Sequence, residues 1–175
     1  MFAERGYVET SMRDLAVQLN IKAASIYSHF KSKEEILTII CNEIYDLMKE
    51  NMKIIHDENS DATGKFLLYV KLHIVAVVQN QLSFKIYTKY YNLVEVNAAK
   101  YGLLNYEYFD FIKKLVYDVF PKLKEQDFYI PNATPLFIID TLNSIPKIIN
   151  PENPDIDKIV KDIQDRLMYG YQKDM

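Results

Sequence analysis

The chain has 175 residues, 49% of them hydrophobic, one cysteine (Cys41) and a formal net charge of −3. That length suits one large domain, or one domain with a small head attached, and the apolar fraction supplies a substantial core. A lone cysteine excludes an intramolecular disulfide framework and suits a reducing compartment; no apolar run approaches a membrane span and no basic-then-apolar leader opens the chain, so a soluble, cytoplasmic protein is expected.

With only 4 Gly and 6 Pro, the long stretches free of breakers favour helix over sheet. Met1–Arg5 reads as the last turn of a helix closed at Gly6, where a left-handed cap is cheap. Such a helix should start earlier, so the first helix of the head is expected to be truncated. Ser11 and Asp14 then mark a helix start, with Met12, Leu15, Ala16 and Leu19 at helical spacing. Asn20-Ile21 makes a tight break, because asparagine tolerates left-handed backbone. A second short helix is expected over Lys22–Phe30, anchored by Ile26, Tyr27 and Phe30.

Ser32 caps a third helix, with Glu34 and Glu35 well placed against its dipole. Ile36, Leu37, Ile40, Ile44, Leu47, Met48 and Ile55 keep helical phase for about six turns. A polar loop follows at Asp57–Asp61. Further helices are predicted at about 62–80, 83–95, 103–120 (ended or kinked by Pro121), 135–149 and 155–170. The segment Gln126–Pro135 reads as irregular, and Pro151 and Pro154 bracket a turn. The last helix carries Ile156, Ile159, Val160, Ile163 and Leu167 in a regular stripe. The expected fold class is therefore all-α: a three-helix head over residues 1–48 on a larger helical body over 49–175.

Charge is unevenly placed. Residues 1–33 hold Arg5, Arg13, Lys22, Lys31 and Lys33 against Glu4, Glu9 and Asp14, a net +2 that leaves −5 for the rest. A mildly basic head on an acidic body can offer its head to phosphate while the body stays soluble. Two short helices joined by a tight turn and followed by a long third helix form a DNA-reading arrangement, in which the second helix enters the major groove. The run Ile26–Glu35 adds a phenol, an imidazole and two ammonium groups suited to phosphate. Nothing suggests catalysis: three histidines (His29, His56, His73), one cysteine and no glycine-rich loop predict no metal site, no cofactor and no enzyme.

Residues 2–50 resemble the DNA-binding head of the tetracycline-repressor (TetR/AcrR) family of bacterial regulators. The matching positions are Phe2, Gly6, Tyr7, Thr10, Ser11, Leu15, Ala16 and the block 26–34, at fixed spacing. Beyond the head the resemblance is architectural. It implies that Thr10, Arg13, Tyr27, His29 and Lys33 touch phosphates, with Arg13 also able to reach a base. Lys22, Ala23 and Ser25 would open the recognition helix and face the groove, beside the cap residue Ser11. The methyl of Ala23 suits a thymine methyl and cannot pair with guanine, so groove shape should share the reading.

The family likeness further implies a ligand-responsive repressor that grips palindromic double-stranded operator DNA as a homodimer. The helices near 135–149 and 155–170 would form the dimer interface. Its body would bind a small apolar or aromatic effector, and Tyr69, His73, Tyr87, Tyr91, Tyr106 and Phe109 are the candidate lining residues. Several alternatives stay open at this stage. These aromatics read equally as ordinary core and surface, Tyr27 as a core anchor, His29 as a packed histidine, and Cys41 as buried filler or a redox sensor. A second reading of the whole chain is a small-molecule-binding helical protein whose truncated head no longer binds DNA.

Overall fold

The computed structural model describes residues 1–93, 98–126, 132–149 and 154–172, and every element among them is helical. In chain order these are α1 (Met12–Gln18), α2 (Ala23–His29), α3 (Lys33–Asp57), α4 (Ala62–Gln79), α5 (Gln81–Tyr90), α6 (Ala98–Val119), α7 (Pro121–Gln126), α8 (Ala133–Ser144) and α9 (Ile156–Gln172). Short 3-10 turns sit at Tyr91–Leu93 and Ile145–Lys147. The end of the helix predicted over 83–95, most of the irregular segment after Gln126 and most of the Pro151–Pro154 turn lie outside the described residues.

The chain forms two compact units, and they do not follow a single cut after residue 48. One gathers Met1–Leu47 with Gln81–Leu104; the other gathers Met48–Asn80 with Asn105–Met175. The 25-residue α3 contributes to both.

In the first unit, Arg5 N–H donates to Met1 O at 2.8 Å, closing a helical turn that Gly6 ends with φ +109°. A side chain there would meet the movable end of Glu9, so it is the left-handed backbone that favours glycine. α1 opens on a reciprocal capping box: Ser11 Oγ accepts from Asp14 N–H while the Asp14 carboxylate accepts from Ser11 N–H. These bonds from Ser11 hold the Asp14 carboxyl below its usual range. α1 closes on a Schellman motif, with Asn20 at φ +53°, its N–H on Val17 O and that of Ile21 on Ala16 O. Met12, Ala16 and Ile26 form the head core, and Leu15, Phe30 and Ile36 pack against it. Leu37, Cys41 and Ile44 on α3 are fully buried. Burial pushes the Cys41 thiol up to about 11, which favours the filler reading over the redox sensor.

In the second unit α4 packs against α8 and α9. Phe66, Tyr69, Val70, His73, Ile74 and Val77 recur at helical spacing and are buried. α4 is long and apolar enough to cross a membrane by length and composition, which the sequence reading did not anticipate. Here that apolar character fills the core of a helical body. Phe66 meets Phe120 edge-on at 5.6 Å, Gln164 Nε2 donates to Leu67 O at 2.6 Å, and Lys49 pairs with Glu107 at 3.1 Å. Proline explains two breaks. α6 stops at Val119 and Pro121 starts α7; α8 tightens into a 3-10 turn at Pro146, which has no N–H to donate.

Candidate nucleic-acid interface

The functional face of the head is built by one anchor and its neighbours. Within α2 only Ile26 is buried, at 2% exposure; Ala23, Ala24, Ser25, Tyr27, Ser28 and His29 are all exposed, as is Lys22 at the N-cap. A seven-residue helix held by one side chain presents most of its circumference outward. Arg13 on α1 is exposed as well. Tyr27 is 51% exposed, so it is not a core anchor, and His29 is exposed rather than packed. Phe30 does join the head core.

Three expected phosphate or groove residues have other work. Thr10 is 1% exposed and its hydroxyl donates to Gly6 O at 2.6 Å, so it braces the turn before α1 from inside. Ser11 Oγ is taken up by the α1 cap. Lys33 is half-buried, and its ammonium donates to three backbone carbonyls, Tyr7 O at 2.8 Å, Thr10 O at 3.2 Å and Val8 O at 3.3 Å. Its Nζ also lies 4.5 Å from the centre of the Tyr7 ring. An ammonium has three protons, and these contacts use them all. Lys33 therefore buckles the start of α3 to the Gly6–Thr10 turn. Its ammonium, expected at a phosphate, is here bonded within the head.

Beside that turn lies a residue the sequence reasoning missed. Tyr90, at the end of α5, accepts a hydrogen bond from Tyr7 N–H at 3.3 Å and is buried. Lys89 pulls the Tyr90 phenol below its ordinary value. A contact between positions 83 apart leaves no local signal.

The six candidate effector residues divide between the two units. Tyr69 and His73 are buried in the second unit, whereas Tyr87 and Tyr91 stack at 5.6 Å within the first. Phe109 is half-buried and Tyr106 is 75% exposed, which removes Tyr106 from an interior lining. Tyr108 takes its place, since two positions on a helix turn a side chain through about 200°. Tyr108 shares the phase of the buried Ile112, Leu115 and Val119, and that periodicity was the available signal. His73 Nδ1 lies 2.7 Å from the Tyr108 hydroxyl and His73 Nε2 lies 3.0 Å from Asn143 Oδ1. Burial drives the His73 imidazole down to about 4 and the Tyr69 and Tyr108 phenols well up. Among the described residues no cluster of three or more His, Cys, Asp or Glu is placed to hold a metal.

Among the described residues every element is helical, and the head sets two short helices across a tight turn with the second facing outward, an arrangement that helix-turn-helix proteins use to read DNA. Residues 1–38 match the family model for bacterial regulatory proteins of the tetR family. Over 85 residues it is 31% identical to the biofilm operon icaADBC HTH-type negative transcriptional regulator IcaR of Staphylococcus epidermidis, a match covering 42% of this chain and 46% of that one. The chain thus spans less than half the length of the curated relatives it matches. The fold is similar to a TetR-family transcriptional regulator from Bordetella parapertussis, with TM-score 0.83, 18% identity, and coverage of 99% of this chain and 91% of that one. It is also similar to AibR solved with isovaleryl coenzyme A and operator DNA, with TM-score 0.65, 19% identity, and coverage of 94% and 90%. At these identities the likeness is one of fold.

Proposed function

We propose that this protein is a cytoplasmic transcriptional regulator, not an enzyme, that binds a palindromic operator as a homodimer and releases it when a small effector enters the body. The observation that carries the reading is α2: an amphipathic helix built to serve a core would not leave all but Ile26 exposed. Lys22, Ala23 and Ser25 face the bases, and Arg13, Tyr27 and His29 reach the backbone on either side. Thr10, Ser11 and Lys33 position this face from behind. Dimerisation uses α8 and α9, where Leu136, Phe137 and Tyr169 are exposed apolar groups. Two heads about one DNA turn apart, roughly 34–36 Å, would meet successive major grooves. A relative fold that carries operator DNA and an acyl thioester together supports the coupling of the two events.

Fluorescence anisotropy on a duplex covering the chain's own upstream region tests this. Binding should be dimeric and should weaken steeply between about 50 and 200 mM salt. Tyr27→Phe and Lys22→Ala should each weaken it with the fold unchanged. Absent or salt-insensitive binding would overturn the proposal, and would favour the small-molecule binder without DNA duty.

A further inference from the structure

The Gly6–Thr10 turn is held by its carbonyls from within the head. Thr10 Oγ1 donates to Gly6 O, and the Lys33 ammonium takes the carbonyls of Tyr7, Val8 and Thr10. The Tyr7 N–H is served from elsewhere, by the Tyr90 hydroxyl at the end of α5, 3.3 Å away. The contact is broader than that bond. Tyr90 is 7% exposed, its ring centre lies 5.9 Å from that of Tyr7, and the Tyr7 ring meets Phe2 edge-on at 5.3 Å. A Cβ on Gly6 would come to 3.6 Å from the Tyr90 oxygen, so the phenol closes against the turn itself. Lys89 hydrogen-bonds the same hydroxyl, with its ammonium 5.1 Å from the Tyr90 ring centre. That bond, and more weakly the Glu9 carboxylate of the turn, hold the Lys89 ammonium above its ordinary range. Tyr90 is itself fixed, because Phe84, Ile86 and Tyr87 bury α5 in the same compact unit as Met1–Leu47.

What the turn fixes is the direction of α1, since Ser11 caps that helix immediately after Thr10. α2 hangs from α1 through Ile26, which packs with Met12 and Ala16, and its N-cap Lys22 makes no side-chain bond to hold it otherwise. The outward face of α2 therefore takes its aim from α1, and α1 from the turn. A seven-residue helix is about 10 Å long, so a tilt of about 6° at the turn moves its far end by about 1 Å. Hydrogen bonds to base edges fail at such an error. Attraction between ammonium groups and phosphates hardly changes.

We propose that Tyr90 is a positioning residue for DNA reading: its hydroxyl, delivered by α5, sets the Gly6–Thr10 turn and through it the aim of α2. α5 is then a working part of the DNA-reading unit, although it lies beyond the residues 1–48 expected to make the head. The inference rests on the regulator reading.

Tyr90→Phe keeps the ring and removes only the hydroxyl. Anisotropy on the full chain compares two duplexes, the chain's own upstream region and a scrambled sequence of the same length and composition. Far-UV circular dichroism fixes a temperature at which both proteins are fully folded. The variant should bind the upstream duplex at least about fivefold more weakly, the scale of one hydrogen bond lost in each head, and bind the scrambled duplex as the wild type does. Its Tyr7 amide should exchange with solvent deuterium faster than in the wild type, without DNA present. A side chain that merely fills space would leave both duplexes unaffected, and that result overturns the proposal. So would an equal loss on both duplexes, an unchanged Tyr7 amide, or a variant that no longer folds, which would make the hydroxyl a general stability element. Wild type and variant binding the upstream duplex alike overturn this inference alone. A wild type that binds neither duplex overturns the regulator reading and this inference with it.

Discussion

Lys33 and Tyr27 stand six positions apart in the same basic run, and the fold places them in opposite settings. Both carry polar tips suited to phosphate, but Lys33 lies where the Gly6–Thr10 turn offers three carbonyls to its ammonium, while Tyr27 faces outward from α2. Lys33→Ala leaves those carbonyls short of a charged donor and should cost about 1–2 kcal/mol, visible in urea unfolding. The slope of log affinity against log salt should stay the same, because that charge is already committed. A fall of about 2 per dimer would return Lys33 to the phosphate backbone. Cys41 supplies a second test at this scale. Its thiol is fully buried and raised to about 11, so a thiol reagent at pH 8 should label native protein only as fast as it opens, and unfolded protein at once. Prompt labelling of native protein would revive the redox reading.

At the scale of elements, local chemistry and structure agree closely in the head. Ser11 with Asp14, the left-handed Asn20 and the cap at Ser32, whose Oγ accepts from Glu35 N–H, are all short-range devices, and the sequence announces them through residue type and spacing. The helices of the body were legible from period alone, since Phe66, Val70, Ile74 and Val77 can share a face only on a helix. α8 is different, because it exposes Leu136 at 48% and Phe137 at 63% beside the buried Ile138. These outward apolar side chains lie on the face that the proposed dimer would cover. On the proposed dimer, Phe137→Glu should shift the protein toward monomer in sedimentation and reduce affinity for the proposed operator at least about tenfold, with the unfolding temperature of the monomer little changed. A variant that stays dimeric would place the interface elsewhere.

For the molecule as a whole, the buried histidine makes stability depend on pH. His73 is neutral in the fold down to about 4, whereas an unfolded histidine takes up a proton near 6.5. Below about 6.5 the unfolded chain binds a proton the folded chain refuses, so this group's contribution is complete above that value and is lost as pH falls toward 4, by roughly 3 kcal/mol at most. Chemical unfolding at a series of pH values should show that loss, and His73→Gln should flatten it over the same range. An equal acid sensitivity in the variant would assign the effect to other groups.

The sequence by itself determined the all-helical class, the helix-turn-helix head and the outward face of α2, because caps, turns and helical period act over a few residues. Only the tertiary structure decided that Lys33 ties a turn together, that Tyr90 reaches Tyr7, that Gln81–Leu104 gathers with the head, and that Tyr108 rather than Tyr106 stands beside His73. Each of these joins residues more than twenty positions apart, and which distant side chains meet is settled by how whole helices pack against one another.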